Sequence, residues 1–335
     1  MQGAVESGAA SEPRIRVENP ATGGLLDSVP NLGAAEVAEL AARARAAQPA
    51  WAALSVGERG RVFLRLQKWF FDNAQRALDT VVSETGKTYE DAQLSDLGLT
   101  AIAAGYWAKH AGRLLKDQRV SSWPSPLTLG KKLVVRREPL GVVGVIGPWN
   151  FPLVNSFADA IPALMAGNAV ILKPSEITPL SSLLMAEALR ECGLPRDLFL
   201  VATGEGATGA AVVDNVDAVM FTGSTATGRR IAAAAGERLI PCFLELGGND
   251  PMLVLADADV ERAANAAVFY SMVNSGQVCM SIERAYVEAP VYDEFVDRVV
   301  ANVRRLRQGP PGGGEGTVDV GAMSFPPQVD IVDSH

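Results

Sequence analysis

A cysteine and a glutamate in glycine-rich surroundings have the residue types and the settings for carbonyl chemistry. Cys279 ends the stretch Asn-Ser-Gly-Gln-Val-Cys, and Glu245 lies thirty-four residues earlier in Leu-Glu-Leu-Gly-Gly. The N–H groups of a small-residue turn stabilise a thiolate, which is the nucleophilic form of cysteine. The pair predicts a nucleophile and a general base that act in turn on one carbonyl carbon. A structural carboxylate paired with an arginine is the alternative for Glu245.

Histidine is nearly absent, which limits the choice of catalytic base. The chain contains only His110 and His335, so a cysteine–histidine pair is disfavoured, with His110 as the one open possibility. Cys192 and Cys242 are interpreted as small buried hydrophobes. An odd cysteine count without a Cys-x-x-Cys pair argues against a disulfide framework and against a metal site, and it favours a reducing, cytoplasmic location.

Asn150 is a candidate oxyanion donor. It lies between Pro148 and Pro152, after an apolar run typical of a buried strand. A side-chain amide in such a turn can donate to the negative oxygen that develops during attack on a carbonyl. The alternative is an asparagine that stabilises its own turn, and the motif alone favours that alternative.

Three strand-to-helix turns are candidate nucleotide sites. The segment 221–229, with Gly223, Ser224 and Gly228, would open a helix whose free N–H groups attract an anion. The Arg229-Arg230 pair that follows excludes a P-loop. At a second strand end, Lys173 and Glu176 could bind ribose hydroxyls, and a carboxylate there favours NAD over NADP. The third is the turn 203–206. Each is a weak signal alone, because an ordinary surface turn has the same composition.

The elements that must position these residues follow two rhythms. Residues 34–117 are helical in pattern, and 131–138 resemble an exposed strand of a hairpin arm. From Gly141 onward, short apolar runs alternate with helical segments, which predicts a parallel sheet covered by helices on both faces. The fold class is therefore α/β, with a Rossmann-like sheet.

Composition bounds the partners. The chain has 335 residues, is 48% hydrophobic and 20% charged, and has a net charge of −8. Its length favours two domains, and its acidity argues against a nucleic-acid partner. The first residues lack the features of a secretory signal, and prolines interrupt the most apolar stretch, 142–172, so no membrane span is predicted.

Five ordered motifs together resemble the NAD(P)-dependent aldehyde dehydrogenase superfamily. They are Ile-Gly-Pro-Trp-Asn-Phe-Pro at 146–152, Leu-Lys-Pro-Ser-Glu at 172–176, Phe-Thr-Gly-Ser at 221–224 with Gly228, Leu-Glu-Leu-Gly-Gly at 244–248, and Gly-Gln-Val-Cys at 276–279. The residues before the resemblance begins, 1–18, are expected to be disordered. The resemblance implies a dinucleotide-binding domain over 19–245 with a hairpin arm near 122–141, and part of an α/β catalytic domain over 246–335.

The resemblance also implies residue roles. Cys279 is the nucleophile, Glu245 activates the hydrolytic water, and Asn150 with the Cys279 backbone N–H forms the oxyanion hole. The cofactor, NAD rather than NADP, would contact Lys173 and Glu176 through its adenosine ribose. Other positions at or near it are Ile146, Trp149, Gly206, Phe221, Gly223, Ser224, Gly228, Leu246 and Gly247.

The implied reaction is oxidation of an aldehyde, including a semialdehyde, to the acid. Cys279 forms a thiohemiacetal, hydride passes to NAD⁺, and water hydrolyses the thioester. Asn155, Phe157 and Ala158 are expected along the substrate tunnel, with Val278 and Met280 beside the thiol. A CoA-acylating relative is disfavoured because such members usually lack the glutamate.

Two departures from the family pattern stand out. Asn249 occupies a position that is often lysine, and the family's later Glu-x-Phe-Gly-Pro motif is absent. The asparagine leaves the implied mechanism intact, but the missing motif leads us to expect a C-terminally truncated member with poor solubility and weak or absent turnover. The alternative is an inactive remnant that at most binds dinucleotide. The resemblance implies a homo-oligomer for full-length members, and the missing segment disfavours one for this chain.

Overall fold

The computed structural model describes residues 13–121, 126–128, 130–312 and 316–334, and it begins with an antiparallel hairpin. Strand β1 (Arg14–Glu18) pairs with β2 (Leu25–Pro30). The predicted disorder of residues 1–18 is wrong for β1, because cross-strand hydrogen bonds order it and Val17 and Val29 are buried. Residues 1–12 lie outside the described range.

A layer of helices follows. It contains α1 (Ala34–Ala52), α2 (Val56–Asp72), α3 (Ala74–Thr85), the short α4 (Tyr89–Asp91) and α5 (Leu99–Leu115), with a π-helical segment, Ala92–Gly98, between the last two. Capping residues divide the helical pattern into these pieces. Ser55 and Glu58 form a capping box at the start of α2, and Gly86 ends α3 with a φ of 73°.

The predicted hairpin arm has two short paired strands. Strand β3 (Gln118–Val120) runs antiparallel to β4 (Leu133–Val135). Strand β3 lies before the predicted start of the arm at 122. Its partner β4 lies within the predicted exposed strand 131–138. Residues 122–125 and 129 lie outside the described parts.

The central sheet confirms the predicted α/β fold. Its five parallel strands are β5 (Val142–Ile146), β6 (Ala169–Lys173), β7 (Phe199–Val201), β8 (Ala218–Thr222) and β9 (Cys242–Glu245), in the order β7-β6-β5-β8-β9. Between them lie α6 (Val154–Met165), α7 (Leu180–Glu191), α8 (Gly206–Asn215) and α9 (Thr225–Glu237). Helices α1 and α8 pack on one face and α6 on the other, so β5 and β6 are buried throughout.

Strand order and register place the candidate residues in one row. The chain leaves β5 for β6 on one side and returns to β8 on the other, which makes the crevice between β5 and β8 the ligand-binding edge of such a sheet. Ile146 pairs with both Lys173 and Phe221, and Thr222 pairs with Glu245. The ends of four strands therefore open on the same edge.

A second, smaller unit follows β9. Parallel strands β10 (Asp250–Val254) and β11 (Ile282–Val287) pack with α10 (Val260–Met272) and α11 (Tyr292–Val303), and α12 (Gln328–Ser334) comes last. Its buried apolar core is separate from the large one and consists of Val254, Val260, Ala264, Ala267 and Phe295. The predicted boundary at 246 stays a prediction, although it falls between the last central strand and β10.

Candidate active site

A cleft of about 880 Å³ lies at the carboxyl ends of the central strands. Twelve of the fourteen predicted site residues line it: Ile146, Trp149, Asn150, Lys173, Glu176, Gly206, Phe221, Gly223, Ser224, Leu246, Gly247 and Cys279. Glu245 and Gly228 do not. The structure thus gathers five separate motifs at one opening.

Asn150 is held in one orientation by hydrogen bonds. Its Oδ1 accepts from the N–H of Phe151 at 3.0 Å, and its Nδ2 donates to the carbonyl of Gln277 at 2.9 Å. An amide nitrogen has two N–H donors, so one stays available for a substrate oxygen. The acceptor carbonyl lies two residues before Cys279, so the bond joins the predicted oxyanion donor to the loop of the predicted nucleophile.

The loop that carries Cys279 has an unusual backbone. Asn274 and Ser275 have left-handed φ angles of 52° and 58°, and Gly276 follows with 74°. Such angles in non-glycine residues need support from their surroundings. The buried Asn274 supplies it, because its amide donates to the carbonyls of Asn150 and Gln277. Cys279 itself is exposed to the cleft.

The glycine pair after Glu245 lies against the cysteine loop. The N–H of Gly248 donates to the carbonyl of Cys279 at 3.0 Å. A Cβ at Gly248 would stand 2.7 Å from that oxygen, closer than carbon can approach. Glycine at 248 is therefore what lets the end of the central sheet approach the predicted nucleophile.

The other cysteines and His110 have different surroundings. Burial raises the pKa of the Cys192 thiol to about 11, and it also raises the pKa of the half-buried Cys242. Both thiols are thus protonated at neutral pH. The ring of His110 stacks on Tyr106 of its own helix and does not line the cleft. Among the three cysteines, Cys279 is the one that lines the cleft.

Glu245 ends β9 as an exposed side chain beside the cleft. Within the described residues its carboxylate has no hydrogen-bond partner. Burial, and secondarily the charge of Glu245, raise the pKa of the neighbouring Asp159 to about 6. Two carboxyl groups thus share this side of the site, and the sequence motifs indicated only one of them.

The predicted anion site lies at the start of α9. Ser224 is its N-cap and accepts from the N–H of Thr227 at 3.3 Å, and Gly223 lies immediately before it. Gly228 is buried one turn later, where a Cβ would stand 2.7 Å from Leu246. Its role is therefore to let Leu246 pack against α9 and form the cleft wall, which explains why Gly228 does not reach the cleft itself.

Lys173 and Glu176 form a pair at the end of β6. The ammonium of Lys173 lies 3.0 Å from the Glu176 carboxylate, and the lysine is buried while the glutamate is half-exposed. The carboxylate keeps free acceptor positions toward the cleft. A ribose diol can use them, whereas a 2′-phosphate meets a like charge.

Several lining residues escaped the sequence motifs. Arg230, on α9, adds a cation, and Glu283 adds a carboxylate. Phe325 contacts Trp149 with ring centroids 5.8 Å apart, although it is far along the chain. Only tertiary contact could have identified these residues. Phe157 corrects the expected substrate tunnel, because it is fully buried against Phe199.

No cluster of three histidine, cysteine, aspartate or glutamate side chains in the described ranges is arranged to hold a metal ion. Among the helices in those ranges, none is long and apolar enough to cross a membrane.

Comparison with known proteins agrees with this geometry. A profile described as the aldehyde dehydrogenase family matches residues 7–335. The chain is 42% identical over 320 residues to a putative succinate-semialdehyde dehydrogenase [NADP(+)] of Mycolicibacterium smegmatis, covering 95% of this chain and 61% of the relative. It is 38% identical to 4,4'-diapolycopene aldehyde oxidase of a Methylomonas species, over 96% of this chain and 60% of the relative.

Solved structures give the same answer. An aldehyde dehydrogenase from Brucella melitensis biovar abortus 2308 matches with a TM-score of 0.92 and 32% identity, over 98% of this chain and 67% of that one. PnpE in complex with nicotinamide adenine dinucleotide matches with a TM-score of 0.91 and 34% identity, over 96% and 65%. The chain thus spans about three fifths of the length of the curated relatives that it matches.

Proposed function

The chain belongs to the aldehyde dehydrogenase family, and we propose that its site oxidises an aldehyde to the carboxylic acid with NAD⁺ as hydride acceptor. The reaction consumes aldehyde, NAD⁺ and water, and it yields acid, NADH and a proton. Cys279 is the proposed nucleophile, Asn150 the oxyanion donor and Glu245 the base.

The hydrogen bond from the Asn150 amide to the Gln277 carbonyl supports this proposal most directly. It joins the only side-chain amide at the end of β5 to the loop of the one cysteine that lines the cleft. The remaining N–H of Asn150 is available to an oxygen of a molecule attacked by Cys279. A nucleophile and a preoriented donor at one opening are the minimum for carbonyl addition.

In the first half of the reaction, the Cys279 sulfur adds to the aldehyde carbon. The carbonyl π electrons move to oxygen, and the oxyanion accepts hydrogen bonds from Asn150 and the Cys279 backbone N–H. A bound nicotinamide would accept the hydride that leaves the former aldehyde carbon, so that the thiohemiacetal becomes the thioester on Cys279. The gain from the amide is expected at about 3 kcal/mol of transition-state stabilisation.

In the second half, the thioester on Cys279 is hydrolysed. Glu245 removes a proton from water, the resulting hydroxide attacks the acyl carbon, and the C–S bond breaks to return the thiolate. The exposed position of Glu245 at the end of β9 gives it access to solvent. The carboxylate acts after the thiolate, so no histidine is needed beside the sulfur.

The residues around the cleft fit a dinucleotide. The N-terminus of α9 suits a pyrophosphate, Lys173 and Glu176 suit a ribose, and Leu246 and Phe221 supply apolar wall. The cleft lies at the crevice between β5 and β8, where sheets of this order bind nucleotides.

The main test measures NADH at 340 nm on mixing the chain with NAD⁺ and a panel of aldehydes. Cys279→Ser should remove all NADH formation, and Asn150→Ala should slow it about 10² to 10³-fold. Glu245→Gln should leave a single equivalent of NADH per chain and stop further turnover. Glu283→Gln, which changes another carboxylate on the cleft, is the matched control and should retain turnover.

The same variants separate two competing functions. If CoA accepts the acyl group, Glu245→Gln should still form acyl-CoA. If the chain only binds dinucleotide, calorimetric titration should detect NAD⁺ binding while no variant changes NADH production. NADH formation that survives Cys279→Ser would overturn the proposal.

We base the preference for NAD on the Glu176 carboxylate. The mycobacterial relatives carry NADP(+) in their names, so titration with both cofactors is the decisive measurement. We expect NAD⁺ to bind at least about tenfold more tightly, since repulsion near 1.4 kcal/mol gives that ratio. Glu176→Gln should bring the affinities for NAD⁺ and NADP⁺ closer together. Glu205→Gln, on the neighbouring glycine turn, should leave the ratio of the two affinities unchanged. Tighter binding of NADP⁺ by the unchanged protein would refute the preference.

The substrate class that we propose includes semialdehydes, because the relative from Mycolicibacterium smegmatis is named for succinate semialdehyde. Succinate semialdehyde should be compared with butanal, which has the same chain length without the carboxylate. A higher kcat/KM for the semialdehyde supports a carboxylate-recognising substrate site, and equal values contradict it.

A further inference from the structure

We propose that the buried ion pair Lys87–Asp96, together with Asp91, positions the Asn150 amide against the cysteine loop. The inference rests on the proposed function, because it assigns these three as positioning residues for the oxyanion hole. None of them lines the cleft. Lys87 lies in the loop before α4, and Asp91 and Asp96 lie in α4 and the π-helical segment, a part of the chain, 87–98, that the sequence motifs did not connect with the site.

Lys87 holds the start of the turn 150–154, which carries Asn150. Its fully buried ammonium lies 2.6 Å from Asp96 Oδ2, donates to the carbonyl of Asn150 at 2.8 Å, and stands 4.1 Å from the centroid of the Phe151 ring. One cation thus fixes the backbone of Asn150 and the side chain that follows it. The ammonium of Lys87 resists displacement, because a buried charge that loses its partners is strongly destabilising.

Asp96 fixes the other end of the same turn. Its Oδ1 accepts from the N–H groups of Leu153 and Val154 at 3.1 and 3.2 Å, where α6 begins. Asp96 is fully buried, and both of its oxygens are occupied. The residues 150–154 are therefore held at their first and last members by one ion pair, and the amide of Asn150 projects from a backbone that cannot shift independently.

Asp91 connects this support to the nucleophile's loop. Its Oδ2 accepts from the N–H of Asn274 at 3.1 Å, and the Asn274 amide donates to the same Asn150 carbonyl that Lys87 contacts. The left-handed backbone at 274–275 thus has an acceptor on one side and the Asn150 turn on the other. The segment 87–98 contacts both halves of the proposed oxyanion hole, through the buried Lys87–Asp96 pair on one side and the half-buried Asp91 on the other.

The π-helical turn explains how Asp91 and Asp96, five residues apart, can both face the loops of the site. The segment Ala92–Gly98 separates α4 from α5, so the two carboxylates do not follow the spacing of a continuous α-helix. Such turns are frequent at functional sites. A packing role alone would be met by apolar side chains of similar volume, which would not hold the carbonyl of Asn150.

The test compares two reactions of the same thiol. Iodoacetamide alkylates Cys279 by displacing iodide from a saturated carbon, so no oxyanion forms. With p-nitrophenyl acetate the thiolate adds to the ester carbonyl, an oxyanion forms and collapses, and p-nitrophenolate leaves with the electrons of the broken C–O bond. Both products on Cys279 are measured by mass spectrometry, and neither reaction needs a dinucleotide.

The ratio of the acylation rate to the alkylation rate should fall about tenfold or more in Asp96→Asn, toward its value in Asn150→Ala. The double variant with Lys87→Met and Asp96→Asn should show the same fall. Adding Asp96→Asn to Asn150→Ala should lower the ratio no further, because both changes act through one amide. Asp91→Asn, at a half-buried site that tolerates change better, should lower it in the same direction.

Glu84→Gln is the matched control. Glu84 is as deeply buried as Asp96 but accepts from Leu180 and Ser181 at the start of α7, away from both loops. It should leave the ratio within about twofold of the unchanged protein. A ratio that stays constant in all three positioning variants, or alkylation and acylation that fall together, would overturn this inference. If Asn150→Ala itself leaves the ratio unchanged, the proposed function fails and this inference fails with it.

Discussion

The two walls of the cleft are built on cores of very different size. The wall with Asn150 and the nucleotide turns rests on one continuous core that runs from Val37 to Ala235. The wall with Cys279 rests on a core of five buried apolar residues around Phe295. The first wall can be held by packing, whereas the second depends on polar connections to the first.

Three of those connections lie at the cysteine loop and the strand that precedes it. Gly248 donates to the Cys279 carbonyl, Asn150 donates to Gln277, and Asp91 accepts from Asn274. Leu253 in β10 is 70% exposed, whereas β5 is buried throughout. The difference teaches that a position near Cys279 should be sensitive to hydrogen-bond loss, and a position near β5 to cavity formation.

The largest expected effect compares one phenylalanine from each core. Phe157→Ala should lower the free energy of unfolding by about 4 kcal/mol and should remove NAD⁺ binding and thiol reactivity together. Phe295→Ala should leave NAD⁺ binding in place and change only the alkylation rate of Cys279. Urea denaturation and calorimetric titration measure the two quantities.

Phe71→Ala is the control for that comparison. Phe71 is 71% exposed, so its loss should change stability by less than about 0.5 kcal/mol. Loss of NAD⁺ binding in Phe295→Ala would show that the two cores unfold as one and would remove the contrast between the walls.

The next effect uses pH to probe the large core. Burial raises the pKa of Glu84 from its ordinary value of 4.5 to about 7, although it accepts hydrogen bonds from Leu180 and Ser181. The folded state therefore binds the proton more tightly than the unfolded state does. The stability from this group is complete below pH 4.5 and is lost as the pH rises through 7, by about 3 kcal/mol.

Glu84→Gln removes this dependence. Between pH 4.5 and 7.5, the unfolding free energy of the unchanged protein should fall relative to that of the variant, as measured by urea titration at several pH values. The Tyr89→Phe variant, which leaves the carboxyl intact, should keep the full slope. Parallel pH curves for the protein and Glu84→Gln would contradict the expectation.

The residues that line the cleft and the buried residues that support them differ in how well the sequence could predict them. The family motifs indicated twelve residues that the cleft brings together, because strand ends and glycine turns are local signals. Lys87, Asp91 and Asp96 carry no such signal, since charges in a helical pattern are usually solvated and the π-helical turn is not visible in the residue pattern. We expected Phe157 in the substrate tunnel because its burial against Phe199 is a tertiary contact that the residue pattern does not show.

A smaller effect is expected at Asp159 beside Glu245. Burial and then the Glu245 charge raise the pKa of Asp159 to about 6, so its contribution to stability is present below its ordinary value of 3.8 and is lost as pH rises through 6. Asp159→Asn should stabilise the protein at pH 8 relative to pH 4 by about 1 to 2 kcal/mol, after allowance for partial exposure.

A double-mutant cycle assigns the cause. Because Glu245 supplies part of the repulsion, Glu245→Gln should stabilise the protein above pH 6 when Asp159 is present and have less effect in Asp159→Asn. Thermal unfolding at pH 4, 6 and 8 measures both. Additive effects would show that the two carboxyl groups do not interact.

The smallest effect tests the turn that leads into β9. Leu239 is 92% exposed and has a φ of 55°, so a leucine pays a steric penalty there without any packing in return. Leu239→Gly should relieve it, but glycine also gains freedom in the unfolded chain, which leaves a net gain of about 0.5 to 1 kcal/mol. Leu239→Ala removes the same exposed side chain and keeps the penalty, so it should give no gain. Because the turn adjoins the large core, the gain should appear in urea denaturation while the alkylation rate of Cys279 stays constant. A rise in that rate would show that strain at the edge of β9 reaches the cysteine loop, and the Gly248 hydrogen bond would then be one of the connections that couple the two walls mechanically.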